Sequence, residues 1–318
     1  VLKLCRQAGL AKLGHVALDG TKVKANASRH KAMSYERMQR AEQELKGQID
    51  ALLARAKAAD EAERIEPELD VPAEMARRQE RLEVIRAARE RLEERQRAAD
   101  TARGRTEGDE RKPRDGDGHP KGGSYARDFG VPAPKAQDNF TDPQSRIMKR
   151  AGGGFDYCYN AQTAVDDTAH LIVAAELTNH GSDAGRLAPM LEAVHQNVGA
   201  HPRQVLADAG YRSEAAFEQL QGHPAELIVA LGREGKQQLQ IDPHRRPLTA
   251  ALAAKFQQMP TRQAYRRRKW LAEPPNGWIK NVLGFRQFSL RGLAKAQAEW
   301  KLVCTALNLR RMAKLVPA

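Results

Sequence analysis

The sequence predicts an α/β fold, in which a mixed sheet is flanked by helices and a long helical hairpin is inserted after the first strand. Three observations lead to this prediction. Hydrophobic residues make up 41% of the 318 residues, which is enough for a packed core. The pattern over residues 36–100 is helical throughout. From about residue 155, short β-type runs alternate with amphipathic helical patterns, which is typical of a sheet covered by helices.

Residues 1–35 are predicted to supply the first strand of the core. The apolar run His15–Leu18 has the character of a strand. Asp19-Gly20 follows it as a turn or bulge, and residues 21–25 can continue the strand. Because the chain begins at Val1, without Met and within a helical pattern, we expect it to be truncated at its N-terminus.

Residues 36–102 are predicted to form the helical hairpin. Two apolar stripes at helical spacing lie on either side of a break at Pro67 and Pro72. The stripes consist of Leu45, Ile49, Leu52, Leu53 and Ala56, and of Met75, Leu82, Ile85 and Leu92. A single charged surface helix is the alternative. Residues 103–140 are predicted to be a flexible linker, because 103–124 lack apolar residues and are rich in Gly, Pro and charge.

Residues 141–318 are predicted to complete the core. The expected elements are a hairpin of strands 157–166 and 170–177, a helix over 185–198 with Asp183 as its N-cap, strands at Val205–Ala207 and Leu227–Leu231, and basic C-terminal helices. Five aromatic residues are interpreted as core rather than as base-stacking platforms: Trp270, Trp278, Phe285, Phe288 and Trp300.

The positive charge is concentrated at the two ends of the chain. Lys and Arg total 53 and Asp and Glu total 40, a formal net charge of +13. Residues 1–35 have a net charge of +6 and residues 261–318 a net charge of +11, whereas 36–112 and 113–260 are each at −2. Such basic segments point to a polyanion, either nucleic acid or an anionic membrane surface. A solvated charged face is the simplest alternative, but self-repulsion within the last segment favours nucleic acid.

The sequence gives no sign of membrane insertion or secretion. No stretch approaches the roughly 20 apolar residues of a spanning helix, and no signal peptide is recognised. Cys5, Cys158 and Cys304 are far apart, which argues against a disulfide framework or a zinc ribbon and is typical of a reducing cytosol. We therefore expect a cytoplasmic protein, and the preference for nucleic acid that the basic ends indicate adds association with the nucleoid to this expectation.

Two aspartates are the first candidates for a site. Asp19 and Asp208 each follow a short apolar strand and precede small residues. Ligand and catalytic groups collect at the carboxyl ends of strands in open α/β sheets. If the two strands are neighbours, the two carboxylates would resist ionising together unless a divalent cation neutralised them. Hard oxygen ligands suit Mg²⁺ or Mn²⁺. Taken singly, an aspartate at the end of a strand is often only a turn former, and Asp183 is interpreted in that way.

Glu273 is the best candidate for a third carboxylate, because it is one of only two acids in the basic C-terminal segment. A plain salt-bridge partner is the alternative. The Pro274-Pro275 pair predicts that Glu273 lies at a helix junction. Lys280 follows seven residues on, about two helical turns along, where it is placed to hold a phosphate.

Four segments resemble the catalytic domain of bacterial insertion-sequence transposases of the DDE superfamily. They are LDGTKVKANAS (Leu18–Ser28), NFTDPQSRIMK (Asn139–Lys149), VLADAGY (Val205–Tyr211) and YRRRKWLAEPPNGWIKNVLGFRQFSLRG (Tyr265–Gly292). The resemblance runs over most of the chain, and the last segment is the most specific.

The resemblance implies a ribonuclease-H-like fold and two divalent ions, Mg²⁺ or Mn²⁺, held by Asp19, Asp208 and Glu273. It also implies cleavage and strand transfer on double-stranded DNA, namely the element's terminal inverted repeats and a target, by a homo-oligomer. Lys280 matches the lysine of a Tyr–Arg–Glu–Lys signature. The other two positions match loosely, since Tyr265 is one residue too far from Glu273 and Lys269 stands in the arginine slot. Phosphate contacts are expected from Lys280, Arg286, Arg291, Arg268 and Lys269.

Other functions stay open at this point. A catalytically inactive DNA-binding remnant shares the basic ends, and a generic metal-dependent nuclease predicts cleavage without strand joining. A structural coiled-coil protein would account for residues 36–100 but leaves the α/β region unexplained.

Overall fold

The computed structural model describes residues 1–61, 70–108, 124–232 and 241–315. In chain order the elements are α1 (Leu2–Gln7), β1 (His15–Lys24), β2 (Ala32–Ser34), α2 (Tyr35–Glu61), α3 (Val71–Thr101), β3 (Gln137–Asn139), β4 (Arg146–Lys149), β5 (Phe155–Asp166), β6 (Ile172–Thr178), α4 (Leu187–Val198), β7 (Gln204–Ala207), α5 (Glu214–Gln219), β8 (Glu226–Val229), α6 (Pro247–Phe256), α7 (Met259–Arg266), α8 (Arg268–Asn281) and α9 (Leu293–Leu315). The chain divides into two compact units, one of residues 1–27 and 144–318 and one of residues 28–143.

A mixed sheet of six strands forms the centre of the unit made of residues 1–27 and 144–318. Strands β1, β7 and β8 are parallel neighbours, and β1 pairs on its other side with the antiparallel strand β5. The far edge of β5 pairs first with β4 and then with β6, both antiparallel. Helices α4, α6, α8 and α9 pack against these strands. The predicted α/β architecture, a mixed sheet flanked by helices, is confirmed.

The first strand is longer than the sequence pattern alone requires. β1 pairs with β5 from Val16 through Lys24, so Asp19 lies within a strand. A turn or bulge at Asp19-Gly20 was the expectation, and it is wrong because β5 supplies backbone partners beyond Leu18. The parallel pairing with β7, in contrast, ends at Ala17 opposite Leu206. Asp19 therefore lies where β1 loses one of its two neighbours.

The two faces of the sheet are covered by different helices. On one face, the apolar stripe of α4 is buried as predicted, with Leu187, Met190, Leu191 and Val194 in the core. The N-cap of α4 is Arg186 and not Asp183, so the predicted capping role of Asp183 is wrong. On the other face, Leu271 and Ala272 of α8 pack against β-strand residues that include Ala17 and Leu206.

Helix α8 contains Pro274 and Pro275 in its interior, and the expected helix junction at Glu273 is therefore wrong. A proline inside a helix removes a backbone hydrogen bond. Here the buried face of the helix, which includes Leu271, Pro275 and Ile279, holds the segment against the sheet despite that loss. Among the five aromatic residues interpreted as core, Phe288 and Trp300 are buried, whereas Trp270 is 64% exposed and was wrongly placed.

In the unit made of residues 28–143, α2 and α3 run antiparallel and pack along their length. Their shared cluster contains Met38, Leu45, Leu82 and Ile85. The buried carboxylate of Glu42 accepts hydrogen bonds from Arg86 and Arg89 across the pair. Pro67 lies outside the described residues, as do residues 109–123 of the predicted linker, and Gln137–Asn139 of that linker form β3, paired with β2.

Among the described helices, none has both the length and the unbroken apolar character that crossing a lipid bilayer requires. The three cysteines are buried and free.

Candidate active site

Asp19 and Asp208 come together at one edge of the sheet. Asp208 directly follows β7, and Asp19 lies on the neighbouring strand two residues beyond the last β1–β7 pair. Nη2 of Arg268, the first residue of α8, lies 3.0 Å from Oδ1 of Asp19 and 3.2 Å from Oδ2 of Asp208. The two strands are neighbours, which was the condition for the two aspartates to act together, and both carboxylates face one guanidinium group.

Local structure fixes how the Asp208 carboxylate is turned. Asp208 is the N-cap of a short 3-10 turn, and its Oδ1 accepts a hydrogen bond of 2.8 Å from the backbone N–H of Gly210. The other oxygen, Oδ2, is then left to face Arg268. Since a capping aspartate has a restricted side-chain orientation, the motif Asp208-Ala209-Gly210 holds the carboxylate toward α8.

Asn276 is a site residue that the sequence reasoning missed. Its side-chain Nδ2 donates a hydrogen bond of 2.9 Å to Oδ2 of Asp19. The residue is 7% exposed, and among the described residues neither its Oδ1 nor Nε of Arg268 has a hydrogen-bond partner. Arg268 and Asn276 are eight residues apart on one helix, which places them on adjoining parts of its surface. This spacing could have identified Asn276 from the sequence, but only if α8 had been known to continue through Pro274 and Pro275.

Burial makes the site electrostatically unusual. It raises the pKa of Asp19 to about 6, against the opposing effects of the Arg268 charge and the Asn276 hydrogen bond. Tyr211 is fully buried, and its pKa is raised well above the usual value by burial and then by the charges of Asp183, Asp19 and Asp208. Several carboxylates therefore act on the same small region, and a low local dielectric strengthens each charge effect.

Glu273 and Lys280 lie on α8, the helix that carries Arg268 and Asn276. The Glu273 side chain is exposed. Lys280 Nζ donates a hydrogen bond to the hydroxyl of Thr21, two residues after Asp19 on β1. Burial lowers the pKa of Lys280, and the nearby Asp19 carboxylate opposes that shift. Lys280 thus lies beside Asp19.

The other residues expected to contact phosphate are exposed and lie in the C-terminal basic segment. Lys269 follows Arg268 on α8. Arg286 donates a 2.6 Å hydrogen bond to Oδ1 of Asn281, and Arg291 donates a 3.1 Å hydrogen bond to the carbonyl of Asn26. Their side chains leave most of their donor groups available to a ligand.

The donor set at this edge of the sheet suits a hard divalent cation. Two carboxylates and one buried amide oxygen that lacks a partner are the oxygen ligands that Mg²⁺ and Mn²⁺ prefer. Throughout the part of the chain that the structure describes, no three His, Cys, Asp or Glu side chains are grouped closely enough to hold a metal ion. In the structure, the guanidinium of Arg268 is the cation that faces both aspartates.

Comparison with known proteins identifies one family. The family model described as Transposase DDE domain matches residues 128–309, more than half of the chain. No curated protein and no solved structure matches the sequence. The match includes Asp208, Arg268, Glu273, Asn276 and Lys280, whereas Asp19 precedes the matched range.

Proposed function

The chain belongs to the transposase DDE domain family, and from that premise we propose that it catalyses metal-dependent cleavage and strand transfer of DNA at the ends of an insertion sequence. Membership in the family makes it a nucleic-acid-processing protein with DNA as its partner. The proposal assigns the catalytic role to Asp19, Asp208 and Glu273. A catalytically inactive DNA-binding remnant and a generic metal-dependent nuclease are the alternatives that the experiment below separates.

One observation carries the proposal. Asp19 and Asp208, which are 189 positions apart in the sequence, both face Nη2 of Arg268. The Asp19 side chain is 19% exposed and that of Asp208 is 39% exposed, and positive charge beside the two carboxylates opposes the repulsion that favours protonation. Burial raises the pKa of Asp19, and the Arg268 charge and the Asn276 hydrogen bond oppose that shift only in part. A bound cation would therefore stabilise the ionised form of both carboxylates.

In this proposal Asp19 and Asp208 hold divalent cations, with Glu273 and the free amide oxygen of Asn276 as further oxygen ligands. Glu273 reaches the site from α8 if its exposed side chain turns toward Asp19 when a cation and DNA are present. Two such ions would activate a water molecule or a DNA 3′-hydroxyl for attack on phosphorus and would stabilise the negative charge on the leaving oxygen. The positions of Asp19, Asp208 and Glu273 would thus determine where the attacked phosphate binds.

The basic side chains near the acids are proposed to position DNA. Arg268, which faces both carboxylates in the structure, would be available to a phosphate if cations took its place beside them. Lys280 is held beside Asp19 through Thr21, and Lys269, Arg286 and Arg291 extend the positive surface. Contacts of this kind orient DNA without reading its sequence, and they weaken as salt increases.

The strand order supports a ribonuclease-H-like core, with β6 and β4 beside β5, followed by β1, β7 and β8. Residues 28–143 form a separate compact unit, and in the sequence they stand between the two segments, 1–27 and 144–318, that make up the other unit. We therefore propose that residues 36–102 are a helical insertion after the first strand of a catalytic core. Action on two element ends implies a homo-oligomer on DNA, working at the nucleoid.

The proposal is tested with a supercoiled plasmid that carries the terminal repeats of the encoding element. The protein should nick this plasmid in Mg²⁺ or Mn²⁺ but not in EDTA, and should join a liberated 3′ end to a second plasmid. Cleavage without any joined product would support the generic nuclease. Binding without cleavage in either ion would support the inactive remnant, and both results would overturn the proposal.

A further inference from the structure

A group of buried polar side chains lies on the face of β5 away from Asp19. Gln162 pairs with Gly20 and Thr163 pairs with Asp19, so Gln162 and Asp19 point to opposite faces of the sheet. Gln162 and Asn160 are 1% and 0% exposed. Buried amides of this kind are costly unless every donor and acceptor is used. Gln162 accepts a hydrogen bond from the Tyr211 hydroxyl and donates one of 3.0 Å to Asn160.

Asp183 completes this network with its carboxylate. Its Oδ1 accepts hydrogen bonds of 2.7 Å from both Asn160 and Gln162, and Nζ of Lys22 lies 3.5 Å away. The three donors come from β1 and β5, while Asp183 itself comes from the segment before α4. The position of the carboxylate is therefore fixed by neighbours on two strands.

The two oxygens of Asp183 lie against the two glycines beside Asp19 and Asp208. A Cβ atom added to Gly20 would lie 2.6 Å from Asp183 Oδ1. A Cβ atom added to Gly210 would lie 3.1 Å from Asp183 Oδ2 and 2.9 Å from Asp208 Oδ1. The Asp183 carboxylate thus packs against the backbone at two places: at Gly20, which follows Asp19, and at Gly210, in the turn that orients Asp208.

We propose that Asp183 is a positioning residue, which holds the backbone at Gly20 and Gly210 so that Asp19 and Asp208 keep the separation needed to bind a cation together. The inference rests on the proposed function for its catalytic meaning. Its physical basis is the position of the two Asp183 oxygens. The hydrogen-bonded oxygen, Oδ1, lies against Gly20 of β1, and Oδ2 lies against Gly210 in the turn that follows Asp208. Removing the carboxylate leaves Asn160 and Gln162 with unused buried donors and opens space behind both aspartates.

The chain offers a matched control in Asp167. Its carboxylate lies at the other end of β1, where it accepts hydrogen bonds from the backbone and the ring of His15 and lies 3.3 Å from a Cβ added to Gly14. The side chains of Asp167 and Asp183 are 21% and 19% exposed. A general loss of stability should therefore be similar for Asp167→Ala and Asp183→Ala.

The first measurement is hydrogen exchange of the segments 18–22 and 207–212 in protein without metal. Asp183→Ala should speed exchange in both segments by about tenfold or more, because the segments can then open without breaking the contacts of the Asp183 carboxylate. Asp167→Ala should leave both segments at the wild-type rate. Asp183→Asn should recover most of the protection, because its amide oxygen can still accept from Asn160 and Gln162. Should Asp183→Ala not fold, Asp183→Ser, which is too short to reach Gly210, takes its place.

The second measurement is Mn²⁺ binding followed by electron paramagnetic resonance. Asp183→Ala should weaken binding by about 10- to 100-fold, as is usual when a residue that orients metal ligands is removed. If the wild-type protein binds no Mn²⁺, the proposed function fails, and hydrogen exchange alone decides the inference. Equal exchange and equal Mn²⁺ affinity in Asp183→Ala and Asp167→Ala would overturn it.

Discussion

The carboxylates of Asp19 and Asp208 accept hydrogen bonds from one and the same nitrogen atom, Nη2 of Arg268, at 3.0 and 3.2 Å. A single positive charge thus faces two negative charges. The arrangement keeps the acids together without a metal, and it also places Arg268 in direct competition with any cation that binds there. Changes at these three residues should consequently alter both the free energy of unfolding and the affinity for a metal ion, and both should depend on pH.

Replacing Arg268 with Ala should destabilise the protein in EDTA by about 2 kcal/mol, because the largely buried Asp19 carboxylate and the partly exposed Asp208 carboxylate lose a charged hydrogen-bond donor. Saturating Mn²⁺ should remove most of that difference, since the cation supplies the missing charge. Urea denaturation with EDTA or Mn²⁺ measures both quantities. Arg262→Ala on α7, an exposed arginine, is the control and should behave alike in the two conditions. A loss for Arg268→Ala of the same size with and without Mn²⁺ would show that Arg268 does not compete with the metal.

Replacing Asp208 with Asn should abolish metal-dependent cleavage, with a fall of at least about a thousandfold, because several kcal/mol of transition-state stabilisation depend on the bound ions. DNA binding should stay within about twofold of wild type, since it comes from basic side chains. Plasmid nicking and a filter-binding titration measure the two effects. Asp242→Asn, before α6, is the control and should cleave normally. Cleavage that survives in Asp208→Asn contradicts the site assignment.

Replacing Glu273 with Gln separates catalysis from stability. Because Glu273 is exposed, its free energy of unfolding should change by less than about 0.5 kcal/mol. Cleavage should fall by at least about a hundredfold if Glu273 joins the aspartates in the working complex. The exposed Glu218→Gln on α5 is the matched control. Normal cleavage by Glu273→Gln would leave Asn276 as the residue of α8 that completes the site.

Local sequence signals were enough to find much of the fold but not the extent of its elements. The apolar stripe of α4 and the short strand at Val205–Ala207 were predictable, because their burial follows from period and composition. The continuation of β1 past Leu18 depends on backbone partners in β5, and the continuity of α8 through Pro274 depends on packing against the sheet. Both are long-range contacts, which no local pattern encodes.

The same limit applies to the site. Asp19 and Asp208 were recognisable because each follows an apolar run, a local feature. The pairing of Arg268 with Asp19 spans 249 positions, and Asn276 belongs to none of the residue patterns used for catalytic acids. Asp183 carried the local signature of a helix cap, yet its hydrogen bonds go to β5 instead. A side chain with several possible local partners is assigned only when the tertiary neighbours are known.

The raised pKa of Asp19 predicts how metal binding depends on pH. Burial puts this pKa at about 6, so the carboxyl is increasingly protonated below that pH and a cation must displace the proton. The apparent affinity for Mn²⁺ should fall by about tenfold per pH unit below pH 6 and level off above it. The stability of the metal-free protein should depend on pH in the opposite direction. A carboxyl group whose pKa is raised on folding stabilises the folded state at low pH, and this stabilisation is lost as pH rises through about 6. A Mn²⁺ affinity that is flat from pH 5 to 8 would contradict this prediction.

A larger residue at Gly20 should lower the free energy of unfolding, because an added Cβ would lie 2.5 Å from Nε2 of Gln162 and 2.6 Å from Oδ1 of Asp183. Gly20→Ala should cost about 1–3 kcal/mol of the free energy of unfolding, as overpacking of a buried site usually does. Gly47→Ala is the matched control, since an added Cβ there meets nothing within 4 Å and alanine favours the helix by up to about 1 kcal/mol.

Combining Gly20→Ala with Asp183→Ala tests whether the two residues act on each other. Each change alone should destabilise, but the double variant should lose less than the sum, because removing Asp183 frees one of the two atoms that the new methyl group meets. Urea denaturation of the four proteins in EDTA gives the coupling free energy. Additive losses would mean that the Asp183 carboxylate does not constrain the backbone next to Asp19, and the contact with Gln162 alone would then explain why glycine is needed.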